Sequence, residues 1–151
     1  MMAETPDFQP AHADYRTEVE RIFTTAPFIR GLGLEPVSIA PGHCETRLAV
    51  REDHQQQDGY VHAGVLATVG DHTAGAAGAT LIPAGANVLT AEFKINLLRS
   101  AKGRELRCVS RVLKPGRTLI VVESELLAGD ALDQMRLVAK ATVTLAVVMP
   151  R

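Results

Sequence analysis

Tryptophan is absent from this 151-residue chain, and aromatic residues make up only 4% of it. Such a sequence has little with which to stack the bases of single-stranded nucleic acid. Net charge is -1 and like charges form no run, so nothing draws the chain toward nucleic acid or an acidic membrane. The two cysteines, Cys44 and Cys108, stand far apart. They lack metal-ligand spacing, and two lone thiols suit a reducing cytoplasm. No apolar run is long enough to cross a bilayer, because the most apolar stretch is rich in glycine and alanine and carries Asp71. The N-terminal residues from Met1 to Asp7 are polar and acidic, unlike a signal peptide.

What is present is enough apolar residue, 46% of the chain, to build one compact core. Residues 1–10 read as a flexible arm, and residues 11–151 as a single domain. From Ala11 to Thr25 the spacing of Tyr15, Val19, Ile22 and Phe23 predicts a helix with one apolar face. Pro27 can open a short further turn that closes at Gly31 or Gly33. Leu34–Ile39 and Cys44–Val50 read as a hairpin around the turn Ala40-Pro41-Gly42-His43. After Pro83-Ala84-Gly85 come four segments of strand character: Asn87–Leu98, Glu105–Leu113, Thr118–Leu127 and Met135–Val148. They are expected to form a meander. In the first of them Leu89, Ala91, Phe93, Ile95 and Leu97 alternate with Thr90, Glu92, Lys94 and Asn96, which places Thr90 on a solvated face.

Between hairpin and meander lies the stretch that organises the chain. It begins polar at Gln55-Gln56-Gln57, turns at Asp58-Gly59, and continues from His62 to about Leu81 as small and aliphatic residues without proline. That length predicts a helix of about 30 Å. Its near all-round apolar character predicts burial. Glycine costs roughly 1 kcal/mol against alanine inside a helix, yet Gly64, Gly70, Gly75 and Gly78 all occur here, as expected where something packs close to the backbone. A carboxylate in such a helix, Asp71, needs a partner, an altered pKa or a chemical role. One buried helix and six strands make a two-layer α+β domain, with a curved sheet wrapping the helix and an edge for another copy to cover.

The stretch Gln56-Gln57-Asp58-Gly59-Tyr60-Val61-His62-Ala63-Gly64, with Asp71 nine residues beyond His62, resembles the hotdog-fold acyl-CoA thioesterases of the phenylacetate-pathway type. Val88–Leu98 looks like that family's strand after the helix, and Leu113-Lys114-Pro115-Gly116-Arg117-Thr118-Leu119 like its basic hairpin turn. The resemblance covers roughly Phe28 to the C-terminus. It implies a homodimer, with dimers commonly paired into a tetramer, and active sites shared between two chains. It implies hydrolysis of an acyl-CoA thioester without metal or organic cofactor. Carried over by position, Asp71 is the general base or nucleophile, the Ala63 N–H the oxyanion donor, Gln56 a polar group at the thioester, and Thr90 the hydroxyl on the facing strand. The chain departs from the usual pattern in having Ala63-Gly64 for two glycines, Gln56 for asparagine and Thr90 for serine. Either Gln56 or its neighbour Gln57 can serve as the amide.

The residues support this chemistry on their own terms. N–H groups at a helix start lack intrahelical partners and sit at the positive end of the dipole, so those of Ala63 and Gly64 suit an oxyanion. About 13 Å of helix rise separates that start from Asp71. One chain cannot bring both to one atom, whereas two antiparallel helices can. His62 reads as a loop-ordering or capping residue beside the substrate, and His72 as structural or lining. Lys114 and Arg117 are candidate partners for the CoA phosphates, ahead of Arg99 and Arg104. A non-catalytic acyl-CoA-binding protein on the same scaffold is the alternative. A hydratase or dehydratase is a further one, and it would want a histidine set with the acid.

Overall fold

The computed structural model describes residues 6–151. Residues 1–5 of the expected arm lie outside them, while Phe8 packs against the core. Helix α1 (Tyr15–Thr25) buries Val19 and Phe23, the apolar face read from the sequence, and starts four residues later than Ala11. Helix α2 (Pro27–Leu32) has proline in its first turn and ends at Gly33 in the left-handed region, φ 86°, whose N–H closes onto the Ile29 carbonyl. Glycine takes that conformation at no steric cost. Strands β1 (Glu35–Ala40) and β2 (His43–Ala49) form the expected hairpin. The central helix α3 runs Ala63–Ala79, two residues short of Leu81. Strands β3 (Asn87–Leu97), β4 (Glu105–Pro115), β5 (Leu119–Gly129) and β6 (Arg136–Val148) follow.

All six strands join one antiparallel sheet in the order β1-β2-β4-β5-β6-β3. The meander expectation is therefore corrected. Only β4, β5 and β6 follow one another, while β3 lies beyond β6 and β4 pairs with β2. The long helix carries the chain across the sheet before β3 begins, so β3 reaches the far edge and β4 returns to the hairpin. Helix α3 lies in the sheet's concave face and packs across β2, β4, β5, β6 and β3. Leu66, Val69, Ala74, Ala76 and Ala77 on the helix are buried against Leu48, Leu106, Val122, Leu126 and Val143 of the sheet. Full burial of a leucine- or valine-sized side chain contributes about 1.5–3 kcal/mol, so this interface dominates the core.

A second correction concerns β3. Thr90 pairs with Leu145 of β6 and Glu92 with Thr144, which leaves Ala91 as an extra, bulged residue. A bulge resets the alternation of faces. Thr90 therefore shares the concave side with its partner Leu145 and with Phe93, whose partner is Val143, and not the solvated side with Glu92 and Lys94. Leu89 turns out to the convex side opposite Ala146 and is exposed. That shift of one residue aims Thr90 at α3.

Candidate active site

The site is assembled around the start and the middle of α3. Before the helix, the Gln56 side chain braces the Asp58-Gly59 turn. Its Oε1 accepts from the Asp58 N–H (2.5 Å) and the Tyr60 N–H (3.2 Å), and its backbone N–H donates to the Tyr60 carbonyl at 2.8 Å. Gly59 adopts φ 83°, a value suited to glycine. The exposed Gln57 donates to the Asp58 carboxylate at 3.1 Å. Buried His54 ties this loop to α2. Its Nδ1 accepts from the Arg51 N–H at 3.0 Å, so its Nε2–H donates to the Leu32 carbonyl at 2.8 Å. The His54 carbonyl in turn accepts from the His62 N–H at 2.9 Å.

His62 is the N-cap of α3, with an extended backbone (φ -61°, ψ 139°) and Nδ1 accepting from the Gly64 N–H at 2.8 Å. A side-chain acceptor at this place satisfies one of the helix's orphan donors. The expectation of two free donors is thereby corrected to one: the Gly64 N–H is occupied. The Ala63 N–H has no hydrogen-bond partner among the described residues, and Ala63 is exposed.

Two turns further on, the Thr90 hydroxyl donates to Asp71 Oδ1 at 2.8 Å. No lysine or arginine pairs with Asp71 among the described residues. Burial raises its pKa above the ordinary carboxylate value, and the Thr90 bond opposes that rise only in part. A carboxylate poised upward in this way is a better proton acceptor near neutral pH. The helix backbone under it is pinned from the sheet: Ser124 donates to the Gly70 carbonyl at 2.9 Å and shares a 2.6 Å hydrogen bond with Ser110. Thr73 bonds the Val69 carbonyl at 2.7 Å and Thr46 at 2.8 Å. His72 stands beside Asp71. Its ring meets Phe23 edge-on at 4.9 Å, its Nε2 has no partner among the described residues, and burial pushes its pKa down to about 4. The thiols of Cys44 and Cys108 are free, buried and pushed up to about 12 and about 11, so neither is a nucleophile.

Two hollows meet at Asp71 and His72. One, of about 230 Å³, reaches past Thr90 toward α1 and the turn after α3. The other, of about 380 Å³, runs along Ala67 and Thr68 between Phe28 and Phe93. Asp71 and Thr90 are thus brought together, as are Gln56, Gln57, His62, Ala63 and Gly64 around the helix start. The two groups occupy different parts of one chain. Lys114 and Arg117 are exposed and line neither hollow. They sit at the sheet end where α3 finishes: the Val147 N–H bonds the Thr118 carbonyl there, whereas Val61 bonds Ala101 where α3 begins.

A family model described as the thioesterase superfamily matches residues 58–133, from the Asp58-Gly59 turn through β5. The chain belongs to the thioesterase superfamily. A protein of Saccharolobus solfataricus named as an esterase is 31% identical over 113 residues, which span 74% of this chain and 80% of the relative. The crystal structure of a thioesterase family protein from Silicibacter pomeroyi is 34% identical, covers 90% of this chain and 99% of its own, and superposes with a TM-score of 0.87. A conserved protein of Pseudomonas aeruginosa is 35% identical over 81% of this chain and 94% of its own, with a TM-score of 0.73. A thioesterase of Haemophilus influenzae, 17% identical with a TM-score of 0.81, shares the fold.

Within this superfamily chain, sequence reasoning missed the residues that hold the site in place. Ser110 and Ser124 are hydroxyls at inward positions of β4 and β5, between apolar neighbours of the same face. That departure from an apolar inner face was their available signal. His54 read as part of a polar loop, and only its burial at 2% marks it as a structural pin.

Proposed function

We propose that the protein is a cytoplasmic acyl-CoA thioesterase acting at a site shared by two copies of the chain. The observation that carries this is the half-buried Asp71 carboxyl, bonded by Thr90 at 2.8 Å and raised in pKa by burial, with no lysine or arginine paired to it among the described residues. A helix acid kept for structure alone would have its charge paired. Here Asp71 takes a proton from water as water adds to the thioester carbonyl. The Ala63 N–H holds the oxyanion, Thr90 orients carboxylate and water, and collapse expels the CoA thiolate, which regains a proton. Gln56 or Gln57 borders the thioester, and His62 presents the donor by capping the helix.

The second copy supplies the missing half. β3 is an edge strand of 11 residues, and its concave side exposes Phe93 and Leu97 at 44% and 53%. Long exposed edges with apolar side chains call for a cover. Ala67, halfway between Ala63 and Asp71, lines the hollow beside Phe93. A two-fold axis passing there sets the two α3 helices antiparallel and brings each Asp71 to the partner's Ala63. The same operation carries the partner's Gln56 loop toward the end where α3 finishes. Lys114 and Arg117 are exposed at that end, and in this reading they bind the CoA phosphates. A pair of such dimers gives the tetramer that the family resemblance implies.

The test is thiol release from short, branched, aromatic and long acyl-CoAs by wild type and Asp71→Asn. Hydrolysis that collapses in a folded, oligomeric Asp71→Asn protein supports the assignment. Tight acyl-CoA binding with no release by wild type would favour the binding-protein reading instead. Hydration without thiol release would favour a hydratase.

A further inference from the structure

The contact between α3 and the sheet is apolar except at one patch. Thr46 of β2, Cys108 and Ser110 of β4, Ser124 of β5 and Thr73 of α3 are fully buried there. Their hydrogen bonds run one way. A carbonyl can only accept, so the Ser124 hydroxyl donates to the Gly70 carbonyl at 2.9 Å, and Ser110 in turn donates to Ser124 at 2.6 Å. The Cys108 thiol stands 3.8 Å from Ser110 at the start of that row. In a second row Thr73 donates to the Val69 carbonyl at 2.7 Å, so Thr46 donates to Thr73 at 2.8 Å. Both rows end on the two carbonyls that precede Asp71 in the helix. The backbone does not need these bonds. Inside a helix each carbonyl already accepts from the N–H four residues on, and the hydroxyls use its second lone pair. What this interface otherwise lacks is register. The face of α3 toward the sheet carries Val69, Gly70, Ala74, Ala77 and Gly78, too short to interlock deeply with the strands. A slip of one residue moves a helix about 1.5 Å along its axis and turns it by about 100°, which would take Asp71 away from Thr90. The hydrogen bond from the Gly42 N–H to Thr80 Oγ1, at 2.7 Å, holds only the C-cap of α3.

We propose that Thr46, Thr73, Ser110 and Ser124 are positioning residues for the hydrolysis: they set the register of α3 on the sheet and so hold the Asp71 carboxyl at Thr90. The inference rests on the thioesterase reading, with Asp71 as its acid, and adds residues that act through that acid without touching substrate. The lever is short, because the gripped carbonyls belong to the two residues just before Asp71. Gly70 makes the grip possible. A Cβ there would press on Leu126 at 3.3 Å, so a larger residue would hold the helix off β5 and out of reach of Ser124. Misplacing a reacting group by about 1 Å can cost about a hundredfold in rate. A shift of that size leaves α3 buried against the same leucines and valines, so the fold and the affinity for substrate change little. Replacing both partners of a buried hydrogen bond by apolar groups of the same shape is likewise nearly neutral for stability. Position and stability are therefore separable at this cluster.

The experiment compares two double variants. Thr46→Val with Thr73→Val keeps the shape of both side chains and removes both hydroxyls. Thr46→Ser with Thr73→Ser keeps both hydroxyls and removes both methyls. Thiol release gives kcat and KM on whichever of acetyl-CoA, benzoyl-CoA and palmitoyl-CoA the wild type cleaves fastest, with Tm and oligomeric state measured alongside. The valine pair is expected to keep Tm and KM and to lose kcat by at least about tenfold. The serine pair is expected to lose Tm through the cavities it leaves and to keep the wild-type kcat. Ser110→Ala with Ser124→Ala empties the other row. It should repeat the loss of kcat, and it carries the test if the valine pair does not fold. Wild-type kcat in the folded valine or alanine pair overturns the proposal, because α3 would then keep its place without the hydroxyls. A kcat that falls together with Tm in the serine pair also overturns it, since that marks a merely structural role. Full kcat in Asp71→Asn is a separate failure, one that removes the acid and the thioesterase mechanism with it.

Discussion

Replacing Ala63 with proline deletes one hydrogen-bond donor and leaves the rest of the helix start unchanged. Ala63 is the first residue of α3, the position at which proline is favoured because its missing N–H has no intrahelical partner. The preceding residue, His62, is already extended at φ -61° and ψ 139°, the conformation required before proline. Ala63 is exposed, so the ring has room. Proline at a compatible position changes stability by about 0.4–1 kcal/mol, in the stabilising direction. The His62 Nδ1 bond to the Gly64 N–H is untouched. What disappears is the donor assigned to the oxyanion, and removal of one such donor costs about 2.7–4 kcal/mol, or about 10²–10³ in kcat. The Ala63→Pro protein should therefore equal or slightly exceed wild type in Tm, match it in sedimentation, and lose that factor in kcat, measured by thiol release at saturating acyl-CoA. A folded variant with wild-type kcat would refute the reasoning, because the Ala63 N–H would then not be the donor.

Thr90→Val removes the bond to Asp71 Oδ1, and Thr90→Ser should restore it. A hydrogen bond to a charged group is worth about 1.5–3 kcal/mol, so kcat/KM should fall by about tenfold to a hundredfold. Because Thr90 opposes the upward shift of the Asp71 pKa, the acid limb of the pH–rate profile should move to higher pH; an unmoved limb would separate Thr90 from the acid. Asp71→Asn should also change the pH dependence of stability. The folded state holds the Asp71 proton more tightly than the unfolded chain does. The stability this gives is complete below the ordinary value of 3.8 and is lost as pH rises through the raised folded value. Scanning calorimetry should find the variant's Tm gain over wild type larger at neutral pH than below 3.8, and an equal difference at both would contradict the burial of the charge. Ser124→Ala leaves the Gly70 carbonyl without its sheet donor and Ser110 without its partner. It should lower stability by about 1–2 kcal/mol, read as a shift in the denaturant midpoint.

Much of this was legible in the sequence because it rests on local rules. The turn at Asp58-Gly59, the apolar run from Ala63 to Ala79 and the alternation along β4, β5 and β6 each carry their own periodicity. His62 reads as a cap because an acceptor before a helix start has few other places to go. The strand order did not follow from local rules. Whether β3 pairs with β4 or with β6 depends on where the long helix delivers the chain, and no segment records that. The bulge at Ala91 was hidden for a related reason. A single extra residue leaves no compositional mark, yet it decides whether Thr90 faces solvent or Asp71.

The shared site is the central claim, and complementation between two inactive variants tests it most directly. Ala63→Pro and Asp71→Asn each spoil both sites of their own dimer. In a mixed dimer one site receives both lesions, while the other combines an intact Asp71 with an intact Ala63 from the opposite chain. Co-expression at equal levels gives mixed dimers in half of the pairs, and each holds one of its two sites intact, so thiol release should recover to about a quarter of the wild-type rate. Mixed dimers that form, are verified by differential tagging, and release no more thiol than either parent would contradict a site built from two chains.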